Sequence, residues 1–84
     1  MADRVPEIER QLENPSNGYF RWRQLEDGTY VAMIKLMFTT AIVTDVDYCG
    51  YANRFCFDNV ELAHSEFDRL EDRDSEPVGW IARR

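Results

Sequence analysis

The chain has 84 residues, with ten Lys+Arg against sixteen Asp+Glu and a single His, giving a formal charge of −6 and a pI near 4.6. That length holds one domain over 1–84 and leaves little apolar residue to line a deep internal cleft, because domains of this size bury only about 60–65% of the surface their unfolded chains expose. A content of 44% hydrophobic and 13% aromatic residues excludes disorder over the whole length, and the acid surplus counts against a nucleic-acid binder, which needs Lys and Arg to neutralise phosphates.

Val5, Ile8 and Leu12 recur at the spacing of one helical face and predict a short helix over 5–13, with Pro6 suited to its first turn. Asn14-Pro15-Ser16-Asn17-Gly18 stops it with five turn formers. A first strand follows at 19–25, where alternation puts Phe20 and Trp22 on one side and Arg21 and Arg23 on the other. Asp27-Gly28 between two alternating runs predicts a hairpin. The return strand, 30–36, has Tyr30, Ala32, Ile34 and Leu36 on one face.

Strand chemistry continues from Thr29 to Asp47, too long for a single strand, and the least regular place for a break is Met37-Phe38-Thr39-Thr40. A third strand is read at 40–46, a turn at Asp47-Tyr48-Cys49-Gly50, and a fourth strand at 51–57. A second helix is expected over 59–71, capped by Asp58 with Glu61. Val60, Ala63, Phe67 and Leu70 form its buried stripe, and Glu61, Ser65, Asp68 and Asp72 its outer face. Residues 77–84 carry an apolar return in which Trp80 and Ile81 are expected to dock on the body. The expected class is α+β: an antiparallel four-stranded sheet in 19–57, helices covering one face of it, and a docked tail. On that arrangement Val31, Met33 and Met37 form an uncovered apolar face.

No apolar stretch has the length of a membrane span, and the N-terminus lacks the basic region and apolar core of a signal peptide, so a cytoplasmic protein is expected. Cys49 and Cys56 are too few for a disulfide framework, and with His64 they make three soft ligands where a zinc site uses four. They are read as reduced core cysteines and a half-exposed histidine, with no metal and no cofactor. Asp45 and Asp47, one residue apart on a strand, can share a divalent ion, but solvated aspartates at a hairpin end describe them better. No phosphate loop, nucleophile elbow or zinc-protease helix is present, and acidic surroundings oppose a thiolate, so no enzyme activity is expected. Arg21-Trp22-Arg23 invites a stacking surface for nucleic acid. The acidic last helix has the wrong sign for that role, and the basic clusters of double-stranded RNA-binding domains are missing.

Charge is unevenly divided. Residues 1–44 hold six acids and five bases, and residues 45–84 hold ten acids and five bases. Glu66, Asp68, Glu71, Asp72, Asp74 and Glu76 are the densest run and the candidate partner-binding residues.

From Phe20 onward the chain resembles a group of small phage-encoded proteins. The likeness is carried by Phe20-Arg21-Trp22, by Asp27 to Ala32, by Met37 to Ala41, by Gly50-Tyr51 with Arg54 to Phe57, and by Pro77-Val78-Gly79-Trp80-Ile81. It implies a phage or mobile-element origin and expression in a bacterial cytoplasm, and it supplies no catalytic residue. Composition and resemblance together lead to the expectation of an acidic accessory protein that binds a basic surface on a host protein and modulates or inhibits it. The alternative is a structural protein that self-associates, as a homodimer, through an exposed sheet face or edge.

Overall fold

The computed structural model describes residues 7–47 and 50–83. Its elements are α1 (Glu7–Glu13), a 3-10 turn (Pro15–Asn17), β1 (Tyr19–Gln24), β2 (Tyr30–Lys35), β3 (Thr40–Thr44), β4 (Asn53–Phe57), α2 (Val60–Arg69) and β5 (Ala82–Arg83). The strands lie in chain order and every neighbouring pair is antiparallel, so the fold is α+β, a four-stranded meander with a two-residue strand added at one edge. Val5, Pro6, Tyr48 and Cys49 lie outside the described residues.

Turn chemistry places the strands. Asp27 accepts from Thr29 N at 3.0 Å and from Thr29 Oγ1 at 2.6 Å, and Gly28 takes the left-handed backbone that lets the β1–β2 hairpin close. The long apolar run breaks where expected, and Leu36 N donates to Thr39 O at 2.8 Å across the β2–β3 turn. Lys35, Thr40 and Phe57 are cross-strand partners and mark this end of the sheet. The opposite end holds the β1–β2 turn and the chain leaving β3, where Val46 N donates to Tyr30 O.

Three expectations are corrected. The helices cover opposite faces of the sheet rather than one. α2 buries Val31, Met33, Ile42, Phe55 and Phe57 beneath Ala63, Phe67 and Leu70, whereas Leu12 of α1 packs with Tyr30, Ala32, Val43 and Val46 on the other side. Val31 and Met33 are therefore fully buried, and of the expected uncovered face only Met37 is exposed, because it lies in the turn. Helical periodicity marks which stripe of a helix is buried but not which face of a sheet receives it.

The second correction concerns β1. A bulge between Tyr19 and Arg21 shifts the register, so Trp22 packs on the α1 face while the Phe20 ring meets His64 of α2 on the other. The third is the cap of α2. Asn59, not Asp58, accepts from Leu62 N at 3.1 Å, and Val60 at the first turn is about half exposed rather than part of the buried stripe. Glu66 occupies that stripe instead, with only 6% of its surface accessible.

The tail docks by its backbone more than by its side chains. Ile81 N donates to Cys56 O at 2.7 Å, and Ala82 and Arg83 pair with Cys56 and Phe55. The Trp80 ring lies 5.8 Å from that of Phe55 but stays over a third exposed, and Ile81 is more than half exposed. Gly79, in a left-handed conformation, brings the chain against α2 so closely that a Cβ there would stand 2.8 Å from Leu62 Cδ2.

Candidate functional site

Arginine and carboxylate chemistry concentrates where α2 ends above β1. Arg21 and Arg23, alternating onto the α2 face, both lie over the Phe67 ring, at 4.7 and 5.5 Å from its centroid. Arg23 Nη2 donates to the carbonyls of Leu70 at 2.6 Å and of Phe67 at 2.8 Å, the latter also accepting from Leu70 N, and so places a cation at the negative end of the helix. Arg21 pairs with Asp68. Its Nη1 also lies 2.9 Å from His64 Nδ1, and a guanidinium only donates, so that imidazole nitrogen accepts. These contacts tie both arginines to α2.

The run expected as a single acidic face divides into distinct roles. The Glu66 carboxylate is buried, accepting from Val78 N at 3.0 Å and pairing with Arg69 at 3.3 Å, so it ties the tail to α2. Asp72 closes a loop by accepting from Asp74 N at 3.0 Å and from Ser75 Oγ at 3.3 Å. Glu71, Asp74 and Glu76 remain exposed. The signal for Glu66 was present in the sequence: residues 63, 66, 67 and 70 follow the i, i+3, i+4, i+7 spacing of a buried stripe.

Arg73 gathers further carboxylates that spacing alone does not connect. Its backbone N–H donates to Asp27 Oδ2 at 2.8 Å, and its Nη2 approaches both Asp45 oxygens at 3.2 and 3.3 Å. The hydroxyl and amide of Thr29, then the Arg73 amide, lower the Asp27 carboxyl to about 2. Asp45 adopts the left-handed backbone, uncommon outside glycine, as the chain leaves β3. Glu26 and Asp27 from the β1–β2 turn, Asp45 beyond β3, and the 71–76 loop are thereby brought to one end of the sheet.

A solvent-open cleft of about 410 Å³ lies on one side of this end, bordered by Arg23, Glu26, Asp68, Arg69 and Glu71. A second, of about 230 Å³, lies between Glu66, Arg69, Ser75 and Val78, so Glu71 and Arg69 form the ridge between the two. Such walls offer hydrogen bonds and charge to a polar surface.

The remaining candidates are not brought together. Asp45 faces Arg73, while Asp47 exchanges backbone hydrogen bonds with Gly50 and, with Tyr51, adds to the burial that raises the Tyr19 phenol. Cys56 is buried and unoxidised on a strand whose neighbouring residues Phe55 and Phe57 face α2, so it points to the opposite side of the sheet from His64. Among the described residues, no group of three or more His, Cys, Asp or Glu side chains is placed to hold a metal ion, and no helix is long and apolar enough to cross a membrane. No family model matches the chain, and neither does any curated protein or solved structure.

Proposed function

We propose that this chain is a non-catalytic acidic binding protein of the phage accessory type, acting in a bacterial cytoplasm. It engages a basic surface of a host protein through the 71–76 loop and the carboxylates gathered around it. The supporting observation is the convergence on Arg73, whose contacts with Asp27 and Asp45 hold three acidic segments in one place. A loop that only kept the chain in solution would need no such fastening. A fixed constellation of carboxylates loses less conformational freedom on association, and its field speeds encounter with a basic partner. Self-association through the α2 side of the sheet finds no support, since Val31 and Met33 are buried there.

The test is capture from bacterial lysate with the tagged chain at low and at high salt, beside the double variant Glu71→Lys, Asp74→Lys. A specific partner held at low salt, weakened at high salt and lost with the double variant is the expected result. No specific partner at either salt, or a partner indifferent to the charge reversal, overturns the reading.

A further inference from the structure

The opposite end of the sheet carries a second surface of different character. Met37 and Phe38, in the β2–β3 turn, are 85% and 86% exposed. Phe20 lies opposite the last residues of β2, Val60 and Leu62 form the start of α2, and Trp80 and Ile81 approach β4 at Phe55 and Cys56; all are more than a third exposed. Single exposed apolar residues are ordinary, but seven gathered at one end of a chain of this size are the mark of an interaction surface. Folding does not require them there, because both sheet faces are already covered by helices.

We infer that this apolar end docks into an apolar pocket rimmed by Lys or Arg on a partner protein. Charge decides the occupant. Asp58 and Glu61, both exposed, adjoin Val60 and Leu62 along the chain, and Lys35 stands at the same end of the sheet, two strands from Phe57 across Thr40. A second copy would bring the same acids face to face and set one charge of −6 against another. An anionic membrane would repel the chain for the same reason. A basic rim instead pairs with Asp58 and Glu61 while the pocket takes up Phe38 and its neighbours. The inference is independent of the 71–76 reading, since the two surfaces lie at opposite ends of the sheet.

The experiment is a backbone-amide NMR titration of the full chain with three probes: an amphipathic helical peptide of Leu and Lys, its Leu/Glu counterpart, and phosphatidylcholine vesicles. A dilution series of the chain alone accompanies them. The Leu/Lys peptide should shift amides in 36–39, 60–62 and 80–81. The double variant Met37→Ser, Phe38→Ser should weaken that binding at least tenfold, with other amides unmoved, and Asp58→Lys with Glu61→Lys should weaken it several-fold. Equal binding of the Leu/Glu peptide, shifts produced by vesicles, or shifts produced by concentration alone overturn the inference. Shifts confined to 71–76 overturn it while leaving the proposed function standing, and no shift at all overturns it as well.

Discussion

The two ends of the sheet are built from opposite materials and held in opposite ways. At the β1–β2 turn, carboxylates from three segments are fastened by named polar contacts: Arg73 to Asp27 and Asp45, Asp72 to Ser75, and Arg23 to the end of α2. At the other end, Met37 and Phe38 of the β2–β3 turn stand in solvent, and Trp80 and Ile81 are partly exposed on a tail held by buried Pro77, by Glu66 and by main-chain bonds to β4. The acidic end should therefore answer to pH and to substitution of single polar groups. The apolar end should answer to neither, and its side chains should be replaceable without harm to the fold.

The largest test breaks the body that joins the two ends. Phe67 is fully buried and carries both Arg21 and Arg23 against its ring. Phe67→Ala should lower unfolding free energy by about 3–5 kcal/mol in urea titration, and a loss below 1 kcal/mol would mean that α2 is not the fastener. Glu66→Ala leaves the Val78 amide without its acceptor. It should cost about 1–3 kcal/mol and speed hydrogen exchange at Val78 and Ile81 ahead of the strands.

Arg73→Ala removes only the exposed contact to Asp45, since the backbone bond to Asp27 survives. About 0–1 kcal/mol is expected, together with faster amide exchange across 71–76. Asp27 supplies the pH dependence. Its folded carboxyl is lowered from 3.8 to about 2, so its contribution is complete above 3.8 and is lost as pH falls toward 2. Acid unfolding of Asp27→Asn should be flatter across that interval than that of the parent chain, and superimposable curves would dismiss the carboxylate's role. The smallest effect belongs to the other end: Phe38→Ser should alter stability by no more than about 0.5 kcal/mol. A larger loss by urea titration would show that the exposed ring is structural, contrary to the contrast between the ends.

Much of this architecture is legible in the sequence because it is local. Asp27-Gly28 announces its hairpin, the irregular Met37-Phe38-Thr39-Thr40 marks the break, and each of the first four strands lies within about two residues of its expected run, whereas the two-residue β5 was expected only as a docked tail. The β1 bulge carries no such mark, and one inserted residue is enough to send Phe20 to the side opposite Trp22. The candidate site is legible only as a density of acid between 66 and 76. What that segment touches depends in part on residues 28 to 47 positions away: Asp68 pairs with Arg21, and Arg73 between the acids reaches Asp45 and Asp27. Separations of that kind are set by the sheet. Glu66 is the exception, since its place on the apolar stripe was readable and its charge concealed it.

Gly79 has a consequence for the edge of the sheet that the tail covers. The tail adds only two residues of strand, yet they occupy the backbone donors and acceptors of β4 that would otherwise line an open edge. Their approach depends on a position where even a methyl group would collide with Leu62. Gly79→Ala should thus act less on the helices than on β4, whose bared edge becomes a template for strands of other molecules. The fault would first appear as concentration-dependent aggregation, visible in light scattering while the helical signal persists.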